Sequence, residues 1–206
     1  MILLFLFLLA LQGQYSPADE PVNILFFGDS ITAGYGIDKD QAFPAHIQDK
    51  LDSLNWNARA INAGLSGETS SGGLRRIDWL LRQRIDIMVL ELGANDGLRG
   101  IDLDLTHSNL QAIIDRTRTV YPEADIVIAG MQVPPNLGRD YTDQFRTMFI
   151  SLAENNDATL IPFILEGVAG IPELNLPDGI HPTDEGHQII ADTVWITLKP
   201  IIRSKL

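Results

Sequence analysis

The sequence of 206 residues contains no cysteine. Disulfides, thiolate nucleophiles, cysteine-based zinc sites and a lipidated cysteine anchor are therefore excluded. Basic residues are also scarce, because 15 Lys and Arg stand against 27 Asp and Glu, and the formal net charge is −12. Such an acidic surface repels phosphate backbones and anionic lipid headgroups, so we expect no nucleic-acid partner.

The apolar run at the N-terminus, residues 1–11, is too short to cross a bilayer, which needs about 20 residues. Its length is typical of the apolar part of a signal peptide, although no Lys or Arg accompanies it. We expect residues 1–20 to be a signal peptide with a short linker, and residues 21–206 to form one domain. The mature protein would then be periplasmic or secreted, without stable membrane insertion. An N-terminal strand or anchor helix is the alternative.

Beyond Pro21, short apolar runs alternate with segments of helical periodicity. The predicted strands are residues 23–27, 58–63, 85–92, 124–129 and 159–165. The predicted helices are residues 43–54, 70–83, 105–121, 141–154 and 184–198, the last of them capped by Thr183. Strands that alternate with helices indicate an α/β protein with a five-stranded parallel sheet, covered by helices on both faces and joined by right-handed crossovers.

Polar, glycine-containing segments stand where ligands bind in such a sheet. In open α/β sheets this place is the edge formed by the carboxyl ends of the strands. Residues 28–30 and 93–96 directly follow the first and third predicted strands, residues 62–64 lie at the end of the second, and residues 178–182 precede the last helix. Four such segments are more than ordinary loops require, and they predict a functional site.

These segments contain the groups that acyl transfer from a hydroxyl requires: a nucleophile, a base, a group that orients the base, and donors for the oxyanion. Ser30 lies on a tight strand-to-helix turn that presents its side chain to solvent. Asp178 precedes His181 by three residues, so a turn can bring its carboxylate to Nδ1 and leave Nε2 free. Ser30, Gly64 and Asn95 can offer N–H groups to the oxyanion.

The same segments resemble the conserved blocks of the SGNH hydrolases, also called GDSL lipases and esterases. The matching blocks are Gly28-Asp29-Ser30-Ile31, Gly64, Gly93-Ala94-Asn95-Asp96 and Asp178-Gly179-Ile180-His181. They occur in the family's order and span most of the expected mature chain. Ile31 stands where the family's name has Leu, which is a conservative departure. Residues 91–100 and 178–182 are similar to the bacterial acyl-CoA thioesterase I, protease I and lysophospholipase L1 branch, which includes arylesterases.

This resemblance implies a flavodoxin-like three-layer α/β/α sandwich, no metal or other cofactor, and hydrolysis of small-molecule acyl esters and thioesters. It implies that Ser30 is the nucleophile and that Ser30, Gly64 and Asn95 form the oxyanion hole. It also implies that His181 is the general base and then the general acid, and that Asp178 orients it. An acyl-Ser30 intermediate would be hydrolysed by water.

The remaining candidates have less specific patterns. Val133 and Pro134 follow the fourth predicted strand, where they can form one wall of an acyl pocket or belong to an ordinary proline-stiffened loop. His181 and His187 lack the spacing that places two metal ligands on one helical face, so we expect no metal site. We expect a monomer.

Two other functions compete with the acyl hydrolase. One is a carbohydrate acetylesterase, since the family in the wider sense includes sugar acetylesterases. The other is a non-catalytic ligand-binding module on a flavodoxin-like fold, because Ser30 alone suits a helix N-cap and each glycine segment alone suits a turn. The joint occurrence of Ser30, Asp178 and His181 favours an enzyme.

Overall fold

The computed structural model describes residues 20–206, so the predicted signal segment lies outside the described residues except for Glu20. The described chain forms one five-stranded sheet, in the order β2-β1-β3-β4-β5, with all strand pairs parallel. The strands are β1 (Val22–Gly28), β2 (Ala58–Asn62), β3 (Ile87–Glu91), β4 (Asp125–Ala129) and β5 (Thr159–Ile161).

The central strands are buried on both faces, which explains why they appear as continuous apolar runs. All five residues of β3 are buried, and so are six of the seven residues of β1. Both helical layers pack against these two strands. The edge strand β2 is less apolar, and only Ala58 within it is fully buried.

Seven α-helices cover the sheet within residues 20–206. They are α1 (Ser30–Ala33), α2 (Phe43–Ser53), α3 (Ser70–Leu80), α4 (Ala94–Leu98), α5 (Leu103–Val120), α6 (Arg139–Asn155) and α7 (Asp184–Lys205). Helix α2 packs beside α7, whereas α5 packs between α3 and α6. Right-handed crossovers place these two groups on opposite faces, because the chain reverses its direction across the sheet after β2. The predicted three-layer α/β/α sandwich is therefore confirmed.

Several predicted element ends differ from the structure. The helix predicted for residues 43–54 ends at Ser53, and Leu54, which follows its last residue, is exposed. The fifth strand ends at Ile161 rather than at residue 165, because Pro162 cannot donate to the strand ladder. Helix α7 continues past residue 198 through Pro200. The carbonyl that loses its donor there belongs to the exposed Ile196, where water can replace the missing hydrogen bond.

The two strands at the centre of the strand order, β1 and β3, lie where the order reverses. Ligands bind at such a switch point in open α/β sheets. Chain segments 28–30 and 93–96 leave the carboxyl ends of these neighbouring strands. Within residues 20–206, no helix combines the length and the apolar character needed to cross a membrane.

Candidate active site

The turn after β1 holds Ser30 in a fixed position. Asp29 caps the short helix α1, and its Oδ1 accepts the Ile31 N–H at 3.0 Å. Gly28 is required here because a Cβ atom would lie 2.1 Å from Thr32 Oγ1 and 2.7 Å from the Glu91 carbonyl oxygen. Ser30 is 9% exposed, so its hydroxyl lies at the boundary between the core and the cleft.

A chain of contacts joins Ser30, His181 and Asp178. His181 Nε2 lies 3.0 Å from Ser30 Oγ, and His181 Nδ1 lies 2.7 Å from Asp178 Oδ2. The backbone N–H groups of His181 and Ile180 both donate to Asp178 Oδ1. The backbone N–H of His181, then its side chain and the N–H of Ile180, lower the pKa of Asp178 to about 2. Asp178 is therefore ionised at neutral pH and can hold Nδ1 as the protonated nitrogen.

An aromatic ring covers part of the His181 imidazole. The rings of Tyr35 and His181 have their centroids 4.5 Å apart and are tilted by 43°. Tyr35 is 50% exposed, so its other surface faces solvent beside the imidazole. Sequence patterns did not single out Tyr35, because its contact with His181 joins residues far apart in the chain.

Two of the three predicted oxyanion donors lie in the same cleft, and one of them is the backbone N–H of the predicted nucleophile itself. Ser30 and Asn95 line the same cleft, and no residue in the described part of the chain accepts the Ser30 N–H. Asn95 Nδ2 donates one hydrogen to Asp29 Oδ2 at 3.0 Å, and its second hydrogen has no acceptor among residues 20–206. Both groups therefore have an N–H available for an oxyanion.

The structure does not support Gly64 as the third donor. The Gly64 N–H donates to Asn62 Oδ1 at 2.9 Å, so it is already engaged. A Cβ atom at Gly64 would lie 2.2 Å from the Ala33 nitrogen, which shows that this glycine is needed for close packing against the end of α1. The sequence could not reveal this, because both contacts depend on how the loop folds.

Gly67, in the same loop, is linked to Asn95 through the side chain of Arg99. Its carbonyl accepts from Arg99 Nη2 at 3.1 Å, and the same Nη2 lies 3.5 Å from Asn95 Oδ1. Gly67 has a φ of +77°, a conformation that favours glycine, and its N–H has no acceptor among the described residues. The signal in the sequence was a second glycine three residues after Gly64, which pattern alone could not rank.

Two carboxyl groups are buried behind the turn. Asp29 and Glu91 are each 1% exposed. Burial is the main cause that raises the pKa of Asp29 to about 6. Burial, and then the charge of Asp29, raise the pKa of Glu91 well above its ordinary range. The charge of Asp29 therefore disfavours ionisation of Glu91.

A cleft of about 410 Å³ opens beside Ser30 and His181. Val133 and Pro134 line it. The rest of its wall is mostly apolar and includes Ile31, Leu98, Met131, Phe163, Leu165 and Ile180. The cleft can therefore take an apolar chain whose polar end meets Ser30.

The other histidine near the site in sequence faces away from it. His187 is fully buried, and its Nδ1 accepts the Phe43 N–H at 3.2 Å. Within residues 20–206, no group of three His, Cys, Asp or Glu side chains is arranged to hold a metal ion.

Comparisons with known proteins match most of this chain. Residues 26–189 match the model of the GDSL-like lipase/acylhydrolase family. Esterase TesA of Pseudomonas aeruginosa is 37% identical over 87% of this chain and 89% of that protein. Thioesterase 1/protease 1/lysophospholipase L1 of Escherichia coli is 36% identical over 96% of this chain and 92% of that protein. The crystal structure of esterase EstA from Pseudoalteromonas sp., inhibited by monoethylphosphonate, has a TM-score of 0.83 and 34% identity, covering 88% of this chain and 98% of that chain.

Proposed function

Because the chain belongs to the GDSL-like lipase/acylhydrolase family, we propose that it is a serine hydrolase that cleaves acyl esters and thioesters. The observation that carries this proposal is the pair of short contacts from Ser30 Oγ to His181 Nε2 and from His181 Nδ1 to Asp178. The names of the two curated relatives, an esterase and a thioesterase/lysophospholipase, support the same substrate class.

The reaction proceeds in two halves. Nε2 of His181 takes the proton of Ser30 Oγ as the oxygen attacks the acyl carbon, and a tetrahedral oxyanion forms. The protonated His181 then gives this proton to the leaving alcohol or thiol, which departs and leaves acyl-Ser30. Water attacks next, His181 accepts its proton, and the carboxylic acid leaves as Ser30 Oγ is protonated again. Asp178 stabilises the imidazolium in both halves.

The oxyanion is stabilised by the N–H groups of Ser30 and Gly67 and by Asn95 Nδ2–H. Each of them is free of other acceptors among the described residues. Preorganised donors of this kind strengthen their interaction as charge develops, because they need no reorganisation during the reaction. Gly67 replaces Gly64 in this role for the reasons given above.

The acyl chain lies in the cleft, in contact with Val133 and Pro134. The mostly apolar wall favours a lipid-like acyl chain over an acetylated sugar, whose ring would need several polar partners. A non-catalytic binding module is the less favoured reading, because ligand binding alone does not require a base aligned with a hydroxyl. The substrate is a small molecule, and the net charge of −12 argues against nucleic acid as a partner.

The test is hydrolysis of p-nitrophenyl esters from acetate to palmitate, and of matching acyl-CoA thioesters, by the wild type and Ser30→Ala. We expect activity in the wild type with an optimum above acetate, and its loss in Ser30→Ala. Ser108→Ala, on the exposed face of α5, is the matched control and should retain full activity.

A fluorophosphonate probe should label the wild type and not Ser30→Ala. Activity that survives in Ser30→Ala would mean that Ser30 is not the nucleophile. A folded wild type that neither reacts with the probe nor hydrolyses any ester would favour the binding module. A strong preference for acetylated sugars would favour the carbohydrate acetylesterase.

A further inference from the structure

The carboxylate of Asp29 contacts the side chain of the oxyanion donor. Its Oδ2 accepts from Asn95 Nδ2 at 3.0 Å, while its Oδ1 caps α1 at the Ile31 N–H. Asp29 is 1% exposed, so water cannot take over either hydrogen bond. The mechanism described above uses Ser30 on one side and Asn95 on the other, but assigns nothing to the buried carboxylate between them.

A side-chain amide acts as a reliable donor only when a neighbouring group fixes which of its two ends, the nitrogen or the oxygen, faces the acceptor. The two ends of a carboxamide have nearly the same shape, so packing alone does not select the orientation. An ionised carboxylate can only accept hydrogen bonds, and Asp29 therefore forces the nitrogen of Asn95 to face it. At the other end, Arg99 Nη2 can only donate, and it lies 3.5 Å from Asn95 Oδ1.

The orientation of Asn95 decides what the substrate meets. With Nδ2 held by Asp29, the second N–H on the same nitrogen points away from Asp29 and is free for the oxyanion. In the flipped orientation the oxygen would take this place, and a lone pair would face the developing negative charge. If Asp29 no longer fixes the orientation of Asn95, the contact of Asn95 with the oxyanion can therefore change from stabilising to repulsive.

We infer that Asp29 is a positioning residue, which acts through Asn95 by holding its carboxamide in the orientation that donates to the oxyanion. This inference rests on the proposed function of the site. It assigns a specific role to the second residue of the Gly28-Asp29-Ser30 turn, in addition to capping α1.

The groups around Asp29 keep it in the accepting state at neutral and alkaline pH. Glu91 Oε2 accepts from the backbone N–H groups of Asp29 and Thr32 and from Thr32 Oγ1, whereas Glu91 Oε1 has no partner among the described residues. Glu91 and His181 are the titratable groups that act on Asp29. Burial and the charge of Asp29 raise the pKa of Glu91 well above its ordinary range, whereas Asp29, with a pKa of about 6, is ionised above that pH.

The experiment is a double-mutant cycle with Asp29→Asn, Asn95→Ala and the double variant, assayed at about pH 8 with an ester that the wild type hydrolyses. Asn95→Ala should lower kcat by ~10²–10³. Asp29→Asn should lower kcat by at least ~10-fold with KM within about twofold, because an amide at this position permits both orientations of Asn95. The double variant should be no slower than Asn95→Ala, within about threefold.

The outcomes that would overturn the inference are specific. If Asp29→Asn retains the wild-type kcat, Asp29 does not position Asn95. If the two losses multiply in the double variant, Asp29 acts independently of Asn95, as a purely structural role would. Asp102→Asn, which changes the cap of α5 outside the cleft, is the matched control and should retain kcat.

A second variant and a second readout keep the test decisive. Should Asp29→Asn not fold, Asp29→Ser retains a capping oxygen for α1 but holds it one bond nearer the backbone, away from Asn95.

NMR of the Asn95 side-chain amide, assigned by its absence in Asn95→Ala, should show one hydrogen protected from exchange in the wild type and unprotected in the Asp29 variant. Equal exchange in both proteins would contradict the inference, whether or not a substrate has been found. The Ser30→Ala assay tests the proposed function separately.

Discussion

Among single residues, Asp178 shows that nearby hydrogen bonds can fix the ionisation state of an exposed carboxyl group. Its side chain is 39% exposed. Three hydrogen bonds from Ile180 and His181 surround this carboxylate and lower its pKa to about 2. It therefore remains ionised at every pH at which the enzyme would act. The acid limb of the activity profile must then come from a group other than Asp178.

Asp178→Asn should lower kcat by roughly 10²–10⁴, because an amide in this place no longer selects the tautomer in which Nε2 is free to accept a proton. Steady-state kinetics at about pH 8 would measure this. Asp184→Asn is the control, since Asp184 also contacts a histidine, His46, at 3.2 Å but lies outside the cleft. Equal activity of both variants and the wild type would contradict the role of Asp178.

Between secondary-structure elements, the contact of α2 with α7 includes a hydrogen bond to one buried histidine. Phe43 begins α2, so its N–H is one of the donors that the helix itself cannot satisfy, and Ala42 offers no side-chain cap. His187, on α7, accepts this N–H with Nδ1, and the two rings stack. Only a neutral imidazole can accept. Burial is the main cause that lowers the pKa of His187 from 6.5 to about 4.

Stability should therefore fall in acid through His187. Its folded pKa lies below its unfolded value, so the unfolded state binds the proton first, and stability is lost as the pH falls from about 6.5 toward 4. The full effect is about 3 kcal/mol, at about 1.4 kcal/mol per pH unit. Urea unfolding of the wild type and His187→Gln at several pH values isolates this contribution from those of the buried carboxyl groups.

The wild type should lose more stability than His187→Gln over this pH range, and His107→Gln should behave as the wild type does. His107 is suited as the control because it lies on α5, away from the contact of α2 with α7. Parallel curves for the wild type and His187→Gln would show that His187 does not titrate as expected.

Across the protein, the site is assembled from loops that follow different strands. Arg76, on α3, joins two of them: it donates to the carbonyls of Ala63 after β2 and Gly28 at the end of β1, and it pairs with the buried Glu68. This contact holds the loop that contains Gly67 against the nucleophile turn.

The exposed apolar side chains include Trp79 on α3 and Ile196 on α7, which lie on opposite faces and form no common patch.

We expect the chain to be exported and cleaved within residues 1–20, and the mature protein to be a monomer. The apolar run at residues 1–11 has the length of a signal-peptide core, and the charge of −12 opposes self-association. Mass spectrometry of the protein from a periplasmic fraction measures its first residue, and light scattering measures its mass. An uncleaved N-terminus in the membrane fraction would contradict export, and a stable dimer would contradict the monomer.

Local patterns in the sequence were sufficient for the fold class, the order of elements, the cap at Thr183 and the candidates Ser30, Asp178 and His181. These features depend on periodicity, on short-range geometry and on residue chemistry, all of which can be read from residues close together in the sequence. Element ends were less accurate, as Leu54 and Pro200 show, because they depend on exposure and packing.

The proposal of Gly67 in place of Gly64, the ring of Tyr35 on His181, and the contact of Asp29 with Asn95 required the tertiary structure. Each joins residues that are distant in sequence, or depends on which N–H group already has an acceptor. A hydrogen bond is directional and extends about 3 Å, so its partner is known only when the backbone of both segments has been placed. The chain thus encodes which chemistry is available, whereas folding selects which of several equivalent groups performs it.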